Sequence, residues 1–313
     1  MTRREAGALA LLSMMAVPVA AQKTPVFRVG LDLVNVTVTV RDGRGGLVSD
    51  LTAEDFVVRE DGRPQRLEVF APAAVPGARE ELALNLGMLF DTSESMRKDL
   101  RLSQESAIRF LDAIPRARDL LLIFFDRDIR ISRYSSENQQ GIFGRILETK
   151  GEGYTALHDA IAVYLSRVAG TPGRRVLVLF SDGDDTTSQV PPGEVQRLVR
   201  SSDVTIYPVA FPGEHRKNSS EALRARSFLH SLAELSGGRV FQPTASRELA
   251  AIYQSILDEL GTQYVLGYVS DDPRHDGKFR RISVQLKRPD LKLRHRPGYD
   301  APKDEPPKPA GRK

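Results

Sequence analysis

The chain has 313 residues, 41% of them hydrophobic, and a formal net charge of +4, enough for two domains with ordinary globular cores. Its 45 Lys and Arg residues are dispersed rather than gathered in one block, which argues against a nucleic-acid partner. It contains no cysteine, which excludes disulfides, thiolate catalysis, a cysteine-based zinc site and a lipid-modified N-terminal cysteine.

Residues 1–21 read as a secretory signal peptide. Arg3 and Arg4 give a charged start, Ala8–Val17 an apolar core too short to span a membrane, and Val19-Ala20-Ala21 small residues for cleavage. The expectation is an exported protein, periplasmic or secreted, with no transmembrane segment in the mature chain.

Residues 22–78 form a β-rich segment and a linker. Leu33–Val40 alternates apolar with polar, as a half-buried strand does. Phe56–Phe70 reads as two strands around an Asp61-Gly62 hairpin turn, which places Pro64 at a strand start or sheet edge. The linker is Ala71–Ala78, with Pro72 and Pro76.

Residues 79–260 alternate strands and helices. Strands are expected at Leu84–Phe90, Leu120–Phe125, Arg175–Phe180, Val204–Ala210 and Arg239–Phe241. Helices are expected at Arg97–Ile114, Asn138–Leu147, Ala156–Val168, Gly193–Arg200, Glu221–Leu235 and Ser246–Leu260. Such alternation predicts an α/β domain, a doubly wound, mostly parallel sheet covered by helices on both faces.

Residues 261–300 return to β structure. Thr262–Ser270 and Lys278–Lys287 flank Asp271–Gly277, a hairpin loop by composition, and Leu291–Arg296 offers another strand. These strands are too few to be stable alone. They are expected to complete a β-sandwich with residues 27–70, the α/β domain being inserted between its halves. Residues 301–313, rich in Pro and charge, read as a disordered tail.

Chemistry concentrates at three places. The apolar run from Leu84 ends in Asp91-Thr-Ser93-Glu-Ser95; a carboxylate and two hydroxyls at alternate positions leave a strand end together. Gly151-Glu-Gly153-Tyr-Thr155 precedes an apolar helix, and the strand at Arg175 delivers Asp182-Gly183. Open α/β sheets bind ligands outside the carboxyl ends of their strands, where all three would meet. Hard oxygen donors suit a divalent cation. Each place also has a plainer reading: Ser93, Ser95 and Thr155 as helix caps, and Asp182-Gly183 as a turn.

Together these motifs resemble the von Willebrand factor A (vWA) domain and its metal-ion-dependent adhesion site, over roughly Leu84–Leu260. Asp91, Ser93 and Ser95 match the first motif, Thr155 the second and Asp182 the third. The resemblance implies a Mg²⁺ or Mn²⁺ ion held by Ser93, Ser95 and Thr155, with Asp91 and Asp182 acting largely through water. One position stays open for a carboxylate from a protein partner. Over the mature chain the layout also resembles secreted vWA-related proteins of Acidobacteria, through Asp55–Gly62 and Leu266-Gly-Tyr268.

Enzymatic readings find little support. A phosphotransferase using Asp91 needs a second carboxylate two residues on, where Ser93 stands. There is no Gly-x-Ser-x-Gly elbow and no His-x-x-x-His pair. His158 is expected to pack or cap on its helix, Asp184 and Asp185 to be solvated, and Arg97 and Lys98 to face solvent or steer an acidic partner. The expected function is thus an exported, non-enzymatic adhesion module. The alternatives are an envelope structural or assembly factor working through its sandwich with the metal only stabilising, and a metal-dependent hydrolase.

Overall fold

A computed structural model describes residues 33–72, 84–113, 119–135, 141–212, 219–243 and 246–304. The signal peptide expected at 1–21, the linker beyond residue 72 and the tail beyond residue 304 lie outside these residues; the start of the tail expected to be disordered from 301 is instead packed, with Ala301 buried in the sandwich core and Lys303 bridged to Asp276.

The chain enters the fold on four strands: β1 (Leu33–Arg41), β2 (Phe56–Glu60), β3 (Arg63–Gln65) and β4 (Leu67–Pro72). Asp61-Gly62 turns β2 into β3, with Glu60 opposite Arg63. Pro64 sits in β3 at the edge of its sheet, where its missing N–H breaks no ladder.

Then come β5 (Leu84–Asp91), α1 (Arg97–Ala113), β6 (Asp119–Phe125), β7 (Ile129–Ser135), α2 (Ile142–Leu147) and α3 (Leu157–Val168). They are followed by β8 (Arg174–Ser181), α4 (Pro192–Ser201), β9 (Thr205–Ala210), α5 (Ser220–Ser236) and α6 (Ser246–Thr262). The five strands form one sheet in the order β7-β6-β5-β8-β9. Its neighbours β6-β5-β8-β9 are parallel and β7 is antiparallel.

Both faces of this sheet are covered, which explains the mostly apolar run of β5. Leu86, Met88 and Phe90 pack with Phe110 of α1 and Tyr253 and Ile256 of α6. Leu89 on the opposite face packs with Leu157, Ile161 and Tyr164 of α3 and Leu229 of α5. At Gly87 a Cβ would lie 2.0 Å from the Tyr164 ring, so only glycine lets α3 approach this closely.

The chain ends on β10 (Tyr264–Val269), β11 (Phe279–Leu286), β12 (Lys292–Arg294) and β13 (Gly298–Asp300). These join the first four strands in two antiparallel sheets, ordered β12-β1-β10-β4 and β13-β11-β2-β3. Val34, Val36, Val38 and Val40 of β1 and Leu266 of β10 meet Phe56 and Val58 of β2 and Ile282 and Val284 of β11 in one core. The sandwich therefore mixes strands from before and after the α/β domain. Buried Glu60 of β2 links the sheets, accepting hydrogen bonds from Tyr268 Oη at 2.8 Å and Tyr299 Oη at 2.9 Å.

Four expectations need correction. Strand β7 escaped notice because its Arg-interrupted Ile-Arg-Ile-Ser-Arg-Tyr-Ser reads as polar; among the described residues it is an edge strand paired only with β6. The strand expected at Arg239–Phe241 is a single bridge between Phe241 and Val209. The helix expected from Asn138 runs from Ile142, and residues 138–140 lie outside the described residues. Finally, β10 and β11 form no hairpin: β10 pairs with β1 and β4, and β11 with β2 and β13. Both strands point apolar residues into the same core from opposing sheets, so the segment between them crosses the sandwich instead of turning back.

Candidate metal centre

Parallel strands β5 and β8 end side by side, so Asp91 and Asp182 arrive at the same edge of the sheet. Asp91 is buried, and each of its oxygens accepts hydrogen bonds. Oδ1 takes the Ser93 hydroxyl and the Ser93 backbone N–H, the latter at 3.0 Å. Oδ2 takes the Ser181 hydroxyl at 2.7 Å. Ser95 Oγ lies 3.2 Å from Ser93 Oγ. Asp91, Ser93, Ser95 and Ser181 are thus one hydrogen-bonded chain.

The loop carrying Thr155 docks on the loop after β5. Glu152 N donates to Thr92 O at 2.8 Å, and Glu94 N to Gly153 O at 3.1 Å. Thr155 is buried, and its N–H donates to Thr186 Oγ1 at 2.8 Å. Among the described residues no hydrogen bond joins its hydroxyl to the other four candidates; the backbone alone brings it to the cluster. The turn after Asp182 uses Gly183 at φ 85°, where a Cβ would lie 2.7 Å from Ala225 O.

The capping readings do not hold for Ser93 and Thr155. Ser93 is the N-cap residue of the short 3₁₀ turn Glu94–Met96 but makes no side-chain cap bond. Helix α3 begins after Ala156, again with no side-chain cap at that residue. The first turn of α3 is instead served from across the site, where Asp185 Oδ2 accepts His158 N at 3.0 Å. Asp185 also accepts the Ser188 N–H and hydroxyl, so it is tied into the fold rather than solvated. His158 packs edge-on against Phe228 with ring centroids 4.6 Å apart, as expected of a packing histidine.

The electrostatics are one-sided. Burial, and then the charge of Asp182, push the Asp91 carboxyl up to about 7, against the hydrogen bonds from Ser93 and Ser181. Asp99 on α1 is also raised, by its own burial and by Asp182. Asp182 Oδ1 accepts Asp184 N at 3.0 Å, but among the described residues its buried Oδ2 has no hydrogen-bond partner. A buried carboxylate oxygen without a donor is costly unless something positive meets it. Two carboxylates and uncapped hydroxyls on one strand edge fit a hard divalent cation. Among the described residues there is no group of three or more His, Cys, Asp or Glu placed for a metal, so the donor set depends on Ser and Thr oxygens.

Sequence reasoning missed Ser181 and Thr92. Thr92 Oγ1 donates to Phe125 O at 3.0 Å and contacts Asp126 Oδ2, itself paired with Arg130 at 2.6 Å, which braces the loop from below. The signal for Ser181 was its place at the strand end immediately before Asp182.

Residues 85–255 match the profile of the von Willebrand factor type A domain. A UPF0353 protein of Nocardia farcinica is 19% identical over 217 residues, 60% of this chain and 65% of that one. The chain therefore spans less than two thirds of that relative's length. Among solved structures, a von Willebrand factor type A protein from Catenulispora acidiphila is 12% identical with a TM-score of 0.49, covering 89% of this chain and 76% of its own. An aerotolerance-related membrane protein from Bacteroides fragilis is 13% identical with a TM-score of 0.46, covering 56% of this chain and 98% of its own.

Proposed function

The chain belongs to the von Willebrand factor type A domain family, and from that premise we propose that it is an exported protein-binding module whose contact runs through Mg²⁺ or Mn²⁺. The observation that carries this reading is the buried Oδ2 of Asp182, which has no hydrogen-bond partner among the described residues, beside Asp91, whose own carboxyl is pushed up by burial and by that neighbour. Ser93, Ser95 and Thr155 would hold the ion directly, with Asp91 and Asp182 placed around it and acting through water. The ion supplies a fixed positive charge with an incomplete shell. An Asp or Glu of a protein partner completes it, giving orientation, while the surrounding loops give specificity.

The rim supports recognition of a partner. Arg97 and Lys98 are exposed at the start of α1, although Arg97 also pairs with Glu94 at 2.8 Å. Tyr154 is 63% exposed on a loop fixed on both sides by backbone bonds, so it offers contact area with little ordering cost. The Arg3-Arg4 start and the apolar core Ala8–Val17 support export. Among the described residues no helix is long and apolar enough to cross a membrane. Domains of this family are generally interaction modules rather than enzymes.

Calorimetric titration of Mg²⁺ and Mn²⁺ into wild type and Asp182→Asn tests the ion. One saturable site in the wild type and none in the variant is expected. Capture from the exported fraction, with Mg²⁺ or with chelator, then tests the contact. A partner held only by wild type with metal supports it; ion uptake unchanged by the variant, or the same proteins captured in chelator, overturns it.

A further inference from the structure

On the sandwich, strand pairing gathers positive charge into a second, separate concavity. The antiparallel register sets Arg41 of β1 opposite Lys292 of β12, and Thr39 opposite Arg294. The intervening pair, Val40 and Leu293, points to the sandwich core. By alternation, Thr39, Arg41, Lys292 and Arg294 share the other face. Like charges directly opposite each other on a sheet are destabilising. With the turn after β1, these residues line a cavity of about 380 Å³.

The charges are only partly answered. Glu259 at the end of α6 is fully buried and accepts from Arg41 Nη2 at 2.6 Å through Oε1 and from Arg294 Nη2 through Oε2. Arg239 Nε lies 2.9 Å from the same Oε1, an ion pair without hydrogen-bond geometry. One carboxylate thus serves three guanidinium groups. Arg44 and Lys292 are exposed, and among the described residues neither side chain has an ionic partner. Asp42 lines the cavity too, but its Oδ1 is taken by Arg44 N and Gly46 N, each at 2.8 Å. The cavity is lined by four cations, Arg41, Arg44, Lys292 and Arg294, and one carboxylate, Asp42; with Glu259 behind them, two positive charges are left in excess.

Two of the cations are fixed in place. Arg41 Nη1 donates to Gly45 O at 2.7 Å, and Arg294 Nε to Gly237 O at 3.0 Å. Their side chains nevertheless keep 29% and 28% of their surface exposed, and both residues line the cavity. Guanidinium groups fixed by other bonds lose little freedom on meeting an oxyanion, and their forked donors match phosphate geometry.

We propose that this cavity, framed by Arg41, Arg44, Lys292 and Arg294, is a binding site for a phosphate-type oxyanion, presented free or as a lipid headgroup. The excess of two charges favours a multiply charged group over a single carboxylate. The site uses none of the metal-centre residues and works without the metal.

The test is a calorimetric titration of the full mature chain with pyrophosphate in metal-free buffer, against acetate at equal ionic strength. Arg44→Gln/Lys292→Gln is compared with wild type, together with each single variant. Both side chains are exposed, so the fold is retained, which a melting curve checks. A parallel arm measures flotation with phosphatidic acid vesicles against phosphatidylcholine vesicles. Saturable pyrophosphate uptake, at least tenfold weaker in the double variant, supports the site with a free ligand. Retention only on phosphatidic acid vesicles, lost in the double variant, supports it with a lipid source. No saturable response in either arm, a response equal to that of acetate, or one unchanged in the double variant overturns it.

Discussion

At the C-terminal edge of the parallel sheet, Asp91 and Asp182 are buried in the company of hydroxyls and backbone amides. Where α6 meets the sandwich, Glu259 is buried as deeply but is met by Arg41, Arg239 and Arg294. Burial raises the carboxyl pKa in both places. Around Asp91 the nearby charge of Asp182 adds to that rise. Around Glu259 the guanidinium groups of Arg294, Arg239 and Arg41 outweigh it and hold the carboxyl below its ordinary value. The first cluster is short of positive charge and the second has it in excess. A fold that leaves charge unanswered at a rigid, concave place prepares that place for an outside ion of the opposite sign.

The largest effect is expected at Glu259. In Glu259→Gln three guanidinium groups lose their shared carboxylate, and the folded state should lose about 3 kcal/mol at neutral pH, as when one partner of a buried pair is removed. Urea unfolding measures this. Because the folded pKa of Glu259 is depressed, its contribution is complete above the unfolded value of 4.5 and is lost as pH falls through the lower folded value. Wild type and Glu259→Gln should therefore converge in strong acid; a constant difference down to pH 2 would break the comparison.

Metal should act on the other cluster alone. Mg²⁺ at about 100 times its dissociation constant should stabilise wild type by about 2.7 kcal/mol. Asp182→Asn should show no such gain, while Glu259→Gln should keep it in full. Thermal melts with and without chelator give the answer, and loss of the gain in Glu259→Gln would mean that the two clusters are coupled.

A smaller effect of opposite sign is expected from Asp91→Asn in chelator. Removing one of two neighbouring buried charges should leave the metal-free protein about 1 kcal/mol more stable at pH 8. The folded pKa is raised from 3.8 to about 7, so metal-free wild type is favoured below the unfolded value and loses that advantage as pH rises to 7. The gap between variant and wild type should open over that window and stay open above it. A variant less stable than wild type at pH 8 in chelator would show that Asp91 is held mainly by its hydrogen bonds.

The smallest effect concerns the rim. Arg97→Gln should slow association with an acidic partner by about two- to threefold at low salt, with less effect near 0.15 M, because an exposed charge steers only within a Debye length. Stopped-flow rates at two salt concentrations test it.

The amino-acid sequence by itself determined the elements that local pattern controls. The apolar run into Asp91-x-Ser93-x-Ser95 marks a strand buried on both faces whose end carries oxygen donors, and the alternation in β1 marks its half-buried face. The Asp61-Gly62 turn and the edge position of Pro64 follow from backbone chemistry at single residues. What the tertiary structure alone decided is which faces meet. Strand β7 pairs by filling an open edge, and β10 and β11 part company to line one core from two sides. Asp185 reaches the first turn of α3 from a different loop. The cluster around Glu259 joins residues 41, 239, 259 and 294, and no local period relates them. Charge balance at such places is set by long-range packing, because burial multiplies the consequence of each neighbour while sequence separation conceals which neighbours there will be.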